Sequence, residues 1–275
     1  MTTTLLRHEW LRTRGMLLTI AALALAVSVL GSGLAALRVP LVSQTTGLLS
    51  LVAIIVLVPV VQVALTVDYW RSSYGRIGYF TQTLPIPGQV IFRAKLLWSW
   101  IATAGSLVVA VALAIIAWPG VARGLGLGPV NPFAAIGDLF ASVTQYMSMW
   151  QYVALLVVGL AIAVFNWPVQ YYAAATIGSE EPRNRFGGGG VVIAWVVLYV
   201  ITQAVAMVAI IAIPFGIGLT DAGGVGLVGF SPVQDLFGGG SSDIVPIGFV
   251  PAILLVSVVL LWRTARSWRR GVSLV

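Results

Sequence analysis

Apolar residues fall into six long blocks, and the charged residues are confined to the gaps between them. The blocks run over residues 16–37, 47–67, 96–118, 153–177, 191–215 and 244–262, and none holds an Arg, Lys, Asp or Glu. A helix needs about 20 residues to cross the roughly 30 Å hydrocarbon core of a bilayer, and each block is close to or above that length. Backbone in lipid must satisfy its own hydrogen bonds, so the blocks predict helices; the period-two alternation of barrel strands is not seen in them. The prediction is an all-α integral membrane protein with six transmembrane helices, forming one transmembrane domain over 1–275. Basic residues at 7, 12 and 14 precede the first block as in a signal peptide, but the apolar run exceeds the usual 7–15 residues of such a segment. It is read as a retained helix. No solenoid-like or inverted repeat is evident.

Shorter patterns flank the spans. Residues 3–15 predict an interfacial helix, with Leu6 and Trp10 one turn apart and His8 and Arg12 on another side. Asn131-Pro132 is a helix-start signal, an N-cap followed by proline at the first position. Phe133, Ile136, Phe140, Val143 and Met147 follow at helical spacing, which predicts a helix lying on the outer membrane surface. Before the last span, Ser231-Pro232 predicts a short outer helix through Phe237, ended by glycines 238–240.

Composition fits this picture. Of 275 residues, 59% are hydrophobic and 8% charged, where soluble domains carry about 25% charged residues. The formal charge is +7. Its placement makes it a topology signal: with the N-terminus inside, 13 of the 15 basic residues fall in cytoplasmic segments, and only Arg38 and Arg123 lie outside. Both termini are then cytoplasmic, the location is the cell membrane, and no nucleic-acid partner is required. With no cysteine and one histidine, His8, neither a thiolate metal site nor a paired-histidine site is expected.

Several catalytic motifs are missing. A P-loop needs a lysine on the nucleotide phosphates, and the single lysine, Lys95, stands between Ala94 and Leu96. The chain is therefore expected to be no enzyme by itself and to hold no cofactor. The glycine run 187–190 reads as a linker ahead of the fifth span. Asp68, at the end of the second span, reads as an interfacial charge near Arg71. The polar residues inside the spans are uncharged: Gln62 with Thr66, Asn166 with Gln170 around Pro168, and Thr202 with Gln203. They are either inter-helix hydrogen bonds or the lining of a substrate route. Pro59 and Pro168 are expected to bend their helices.

The segment 69–95 is too long for a turn. It carries Tyr74, Ile77, Tyr79, Phe80 and Leu84, rimmed by arginines, on the predicted cytoplasmic side. Such a set suggests either a protein-docking site or a membrane-surface anchor. Leu84-Pro85-Ile86-Pro87-Gly88 would stop one short helix and open the next.

Here the sequence resembles the permease subunits of the ABC-2 type of ATP-binding-cassette transporter, of the bacterial exporter kind. Those proteins commonly carry a glycine, an aliphatic or aromatic run, Thr-Leu-Pro, and a basic helix entering the third span. Gly78-Tyr79-Phe80-Thr81-Gln82-Thr83-Leu84-Pro85, with Arg93 and Lys95, looks like that pattern. The acidic residue often found just after the motif's glycine is missing. The resemblance extends to the interfacial helix, the six spans and the outer helices before the sixth.

It implies a coupling helix within 74–87, presenting Arg76, Tyr79, Phe80, Thr83, Leu84 and Pro85 to a separate cytoplasmic ATPase. A second contact at 178–185 would use Glu180 and Glu181. ATP and Mg would bind in that ATPase. A second permease subunit, identical or paralogous, would complete a route lined by the second and fifth helices, with Gln62, Thr66, Asn166, Gln170 and Gln203 as candidates. The largely apolar interior favours a lipid, drug or hydrophobic peptide over a sugar or ion. Two other classes share the spans: a non-transporting scaffold or immunity subunit, and a membrane-embedded lipid-modifying enzyme. The last lacks a paired acidic or histidine constellation.

Overall fold

The structure is a computed structural model that describes residues 2–75, 78, 83, 85–220, 224–232 and 244–269. It is mostly helical. Six helices, or runs of helix, are long and apolar enough to cross a membrane: Thr2–Ala35, Val42–Ser73, Gly88–Leu125, Met149–Gly178, Gly188–Ala212 and Phe249–Ser267. Large apolar side chains lie exposed along them, Ile55 at 71%, Val108 at 69% and Leu255 at 66% among them. In water that surface would be untenable, so lipid is its natural solvent, and the chain is a multi-pass membrane protein.

The helices are numbered α1 (Thr2–Ala35), α2 (Val42–Ser73), α3 (Gly88–Leu125), α4 (Pro132–Thr144), α5 (Met149–Ala161), α6 (Trp167–Gly178), α7 (Gly188–Ala212) and α8 (Phe249–Ser267). Helix α1 joins the expected interfacial segment to the first span without a break at Gly15. A glycine inside a helix costs about 1 kcal/mol relative to alanine, too little to stop one held on both sides. Helix α3 likewise runs through Arg93, Lys95 and Pro119. It ends at Gly126, whose φ of 66° and the Leu127 N–H donating to the Ala122 carbonyl close it in a Schellman cap. Helix α4 starts where Asn131-Pro132 placed it, with the Phe133 N–H donating to Asn131 Oδ1 at 2.9 Å. None of its residues is buried.

The fourth span is compound. A π-helical turn, Ile162–Asn166, separates α5 from α6. Pro168 explains it: the ring has no N–H to donate and would press on the carbonyl four residues back, at Val164. The wider turn relieves that clash.

An all-α fold is corrected at one place. Residues 215–246 include an antiparallel sheet of order β2-β1-β3, with β1 Phe215–Leu219, β2 Val225–Gly229 and β3 Val245–Pro246. Phe215 and Ile244, expected at span ends, belong to this strand region, and the last helix begins at Phe249. At Gly216 a Cβ would lie 2.3 Å from the Ile244 side chain, so only glycine admits β3 there. The expected helix from Pro232 to Phe237 and its glycine stop fall mainly outside the described residues.

The chain forms two compact units. Unit 1 comprises Met1–Tyr69 and Val90–Ala141, and unit 2 Trp70–Gln89 and Ser142–Val275. In unit 1, α1, α2 and α3 approach through small residues. Ser50 Oγ donates to the Ser28 carbonyl at 2.8 Å and Ser32 Oγ to the Ala117 carbonyl at 2.9 Å. A Cβ at Gly120 would fall 2.1 Å from the Ser32 carbonyl oxygen. Leu57, Val61, Leu65, Leu113 and Val121 fill the space below. In unit 2, α6, α7 and α8 pack around Ala173, Ala174 and Ala175, which are all buried.

Candidate functional site

One end of unit 2 gathers the described flanks of the 69–95 segment. Tyr74 follows directly on α2; its side chain is 1% exposed, and its hydroxyl donates to Thr176 Oγ1 on α6 at 2.9 Å. Its ring meets Trp268 edge-on, 6.0 Å between centroids. At the other flank, Gln89 Nε2 donates to the Ala265 carbonyl of α8 at 3.2 Å. Gly88 sits so close that a Cβ would lie 2.7 Å from the Trp268 carbonyl oxygen. Both flanks are therefore fixed to the ends of α6 and α8. Arg76, Tyr79, Phe80 and Leu84 lie outside the described residues. Thr83 and Pro85 are described and exposed.

Glu180 lies at the same end. Its carboxylate accepts from Arg263 through both oxygens, with Nη1 to Oε1 at 2.8 Å, from Ser267 Oγ at 2.8 Å, and from Arg183 Nη2 at 3.4 Å. Arg183 is itself held by donating Nε to the Ile177 carbonyl at 2.8 Å. Burial pushes the Glu180 carboxyl up. The hydrogen bonds from Arg263 and Ser267 and the two guanidinium charges outweigh that, leaving it below the usual range. Glu180 thus ties α6 to α8 within the chain, while Glu181 is exposed. Glycines 188–190, read from sequence as linker, form the first turn of α7; Gly190 crosses Gly178 so closely that a Cβ would lie 2.6 Å from the Gly178 carbonyl oxygen.

The in-span amides divide between the units. In unit 1, Gln62 is buried, and Thr66 is buried and donates Oγ1 to the Gln62 carbonyl at 2.8 Å, back-bonding its own helix. In unit 2, Asn166 at the π turn accepts from Ser257 of α8 and from Gln170 Nε2 at 3.4 Å. Gln203 is exposed and donates to the Tyr199 hydroxyl at 3.4 Å. Tyr199 ends a stack of four rings, Trp167, Tyr171, Trp195 and Tyr199, with centroids 5.7–6.3 Å apart.

The sequence reading missed a charged cluster in unit 1. Lys95 is 2% exposed, and its Nζ lies 3.1 Å from Glu9 Oε1. Arg12 binds Glu9 and also reaches Asp68 Oδ2 at 2.5 Å. Asp68 therefore pairs with Arg12 of α1, not with Arg71 one turn away. The available signal was the single lysine inside an apolar segment, because a buried ammonium needs a counter-charge. Trp98 closes the cluster from below, donating Nε1 to Thr13 Oγ1 at 3.0 Å. Among the described residues no group of three or more His, Cys, Asp or Glu converges.

Comparison with protein-family models, with curated proteins and with solved structures found no match to this chain.

Proposed function

We propose that the chain is the membrane-spanning permease subunit of an ABC-2 type ATP-binding-cassette exporter. It works with a second permease subunit and a separate cytoplasmic ATPase, which binds ATP and Mg. Both termini and the 69–95 segment face the cytoplasm, and the chain itself hydrolyses nothing.

The observation that carries this reading is how the segment holding the Gly78-to-Pro85 motif is tied down. Its flanks are bonded to α6 through Tyr74 and Thr176, and to α8 through Gln89 and Ala265. A push on such a segment is delivered to the ends of two spans, because both attachments lie on packed helix ends. A membrane-surface anchor would need no such double attachment. Thirteen of fifteen basic residues on one predicted side support the orientation.

The test is reconstitution with a cytoplasmic ATP-binding-cassette ATPase that co-purifies with the chain. ATPase turnover is expected to depend on the chain, and Phe80→Ala to weaken association by about 2 kcal/mol or more, while Arg76→Ala costs less. Unchanged binding and stimulation in Phe80→Ala would leave the segment an anchor. The orientation is checked separately, since the chain has no cysteine of its own. Cysteines at Thr83 and Asn184 should label only from the cytoplasm and one at Gln145 only from outside; labelling of Thr83→Cys from outside overturns the topology.

A further inference from the structure

Unit 1 contains an apolar groove of about 300 Å³ between α1 and α3. Leu17, Ala21, Ile101 and Val109 line its walls, and Leu57 and Val61 of α2 form its floor. It follows α1 from Trp10 to Ala21 and α3 from Trp98 to Val109. At 1.5 Å rise per residue that is about 16 Å along the helix axes, half the thickness of a hydrocarbon core. Beside Gly105 the space is empty: a Cβ there would meet no atom within 4 Å.

Charge is confined to one end of the groove; Ser106, a polar residue further along it, donates its hydroxyl to the Thr103 carbonyl at 2.7 Å. Trp10 packs edge-on against Trp98, centroids 5.6 Å apart and planes at 76°, and forms the lip with Arg14. Arg14 is exposed and has no carboxylate partner among the described residues. Its neighbour Arg12 is paired, and the Glu9–Arg12–Asp68–Lys95 cluster balances its own charge, two acids against two bases. The groove therefore offers one unneutralised guanidinium, an indole beside it at the same end and an apolar slot running along the helices away from both.

We propose that this groove is a binding site for an anionic phospholipid, with one acyl chain in the slot and the phosphate on the Arg14 guanidinium. The guanidinium fork matches two phosphate oxygens, and its long stem lets it reach from the apolar lip into the headgroup layer. Trp10 sits where amphipathic rings settle at a membrane interface. A neutral hydrophobic ligand would leave Arg14 unanswered, and a free phosphate would leave the slot empty. The site needs only the membrane character of the helices, so it stands or falls apart from the transporter reading.

The test uses the full chain in phosphatidylcholine vesicles doped with phosphatidylglycerol carrying a photoactivatable diazirine on its acyl chain. Adducts should map to α1 and α3 around Leu18, Ile101 and Gly105. Unlabelled phosphatidylglycerol should compete about fivefold better than unlabelled phosphatidylcholine, the factor one surface guanidinium supplies toward an anionic lipid. Arg14→Gln should abolish that preference and keep the adducts, because it leaves the slot intact. Gly105→Leu should abolish the adducts, since its side chain enters open space. Equal competition by the two lipids in the unaltered chain overturns the proposal, as do unchanged adducts in Gly105→Leu. Disulfide formation between two chains carrying Gly105→Cys, with no lipid adduct there, also overturns it by placing a second copy in the groove.

Discussion

The two units keep their polar groups in opposite ways. Unit 1 buries full charges: Lys95 and Glu9 are almost wholly out of solvent and lock the starts of α1 and α3 together, with Arg12 and Asp68 bringing in the end of α2. Unit 2 buries neutral amides instead, Asn166 and Gln170 against Ser257 at a π turn, and leaves its ion pairs, Glu180 with Arg263 and with Arg183, part-exposed at a helix end. Cost decides what each arrangement can do. A desolvated pair cannot lose one member without a large penalty, so unit 1 is locked. A part-exposed pair and a widened helical turn come apart more cheaply, so unit 2 is the unit able to change shape.

The sharpest way to break that contrast is Glu9→Gln. It leaves the Lys95 ammonium buried beside a neutral amide. Breaking a buried pair this way costs about 3–5 kcal/mol, measured as denaturant-induced unfolding of the detergent-purified chain. Adding Lys95→Met should recover most of the loss, because the uncompensated charge is then gone. A loss below that of Arg263→Met in unit 2 would remove the distinction between the units.

Much of this was legible in the chain, and the failures share a cause. Spans show in sequence because lipid permits only apolar blocks, and Asn131-Pro132 shows because a cap is a local device. The Asp68–Arg12 pair did not show, since reading along α2 offers Arg71 one turn away and says nothing of α1. Helix α3 outruns the apolar block 96–118 at both ends, because the backbone makes the helical hydrogen-bond ladder and carries it through charged side chains such as Arg93 and Arg123. The sheet hid behind glycine. Phe-Gly-Ile-Gly-Leu alternates with period two, but glycine supplied the second set of positions, and a glycine-rich stretch reads as linker. Of the site, the segment and Glu180 were singled out, yet that Glu180 is spent on Arg263 and Ser267 depends on where α8 ends, which no local pattern states.

Close helix approach is the next lever, and it tests whether unit 1 is held by its crossings as well as its charges. Gly120→Ala puts a Cβ 2.1 Å from the Ser32 carbonyl oxygen, a backbone atom that cannot swing aside. Overpacking of this kind costs about 1–3 kcal/mol. Gly33→Ala in α1 is the control: nothing lies within 4 Å of the added carbon. It should be neutral or stabilising by up to about 1 kcal/mol, since alanine is the better helix former. Equal losses in the two variants, measured by the same unfolding, would mean that the crossing at Gly120 is not tight.

In unit 2, Ser257→Ala removes the hydroxyl that donates to Asn166 and leaves Gln170 still donating to the same oxygen. Hydrogen bonds between membrane helices average about 0.6 kcal/mol in double-mutant cycles, so the loss should be of that order and far below that of Glu9→Gln. A loss above about 2 kcal/mol, beyond the largest such bond measured, would mark the π turn as rigidly held and reverse the assignment of the adaptable unit.

The smallest effect is also the one that separates the two ion-pair types by pH. Glu180 has its folded carboxyl pKa depressed, mainly because Arg263 and Ser267 hydrogen-bond the charged form against the opposing pull of burial. A depressed folded value means the unfolded chain binds the proton more readily. The stability Glu180 supplies is therefore fully present above the ordinary carboxylate pKa of 4.5 and fades as the pH falls through the lowered folded value. The unfolding free energies of the unaltered chain and Glu180→Gln should accordingly differ at pH 7 and converge in acid, below that value. Because the pair is part-exposed, the difference at pH 7 should stay below about 0.5 kcal/mol and shrink further in high salt. A gap that persists unchanged into acid would mean that Glu180 acts through its shape and its Ser267 hydrogen bond alone, with no contribution from its charge on Arg263.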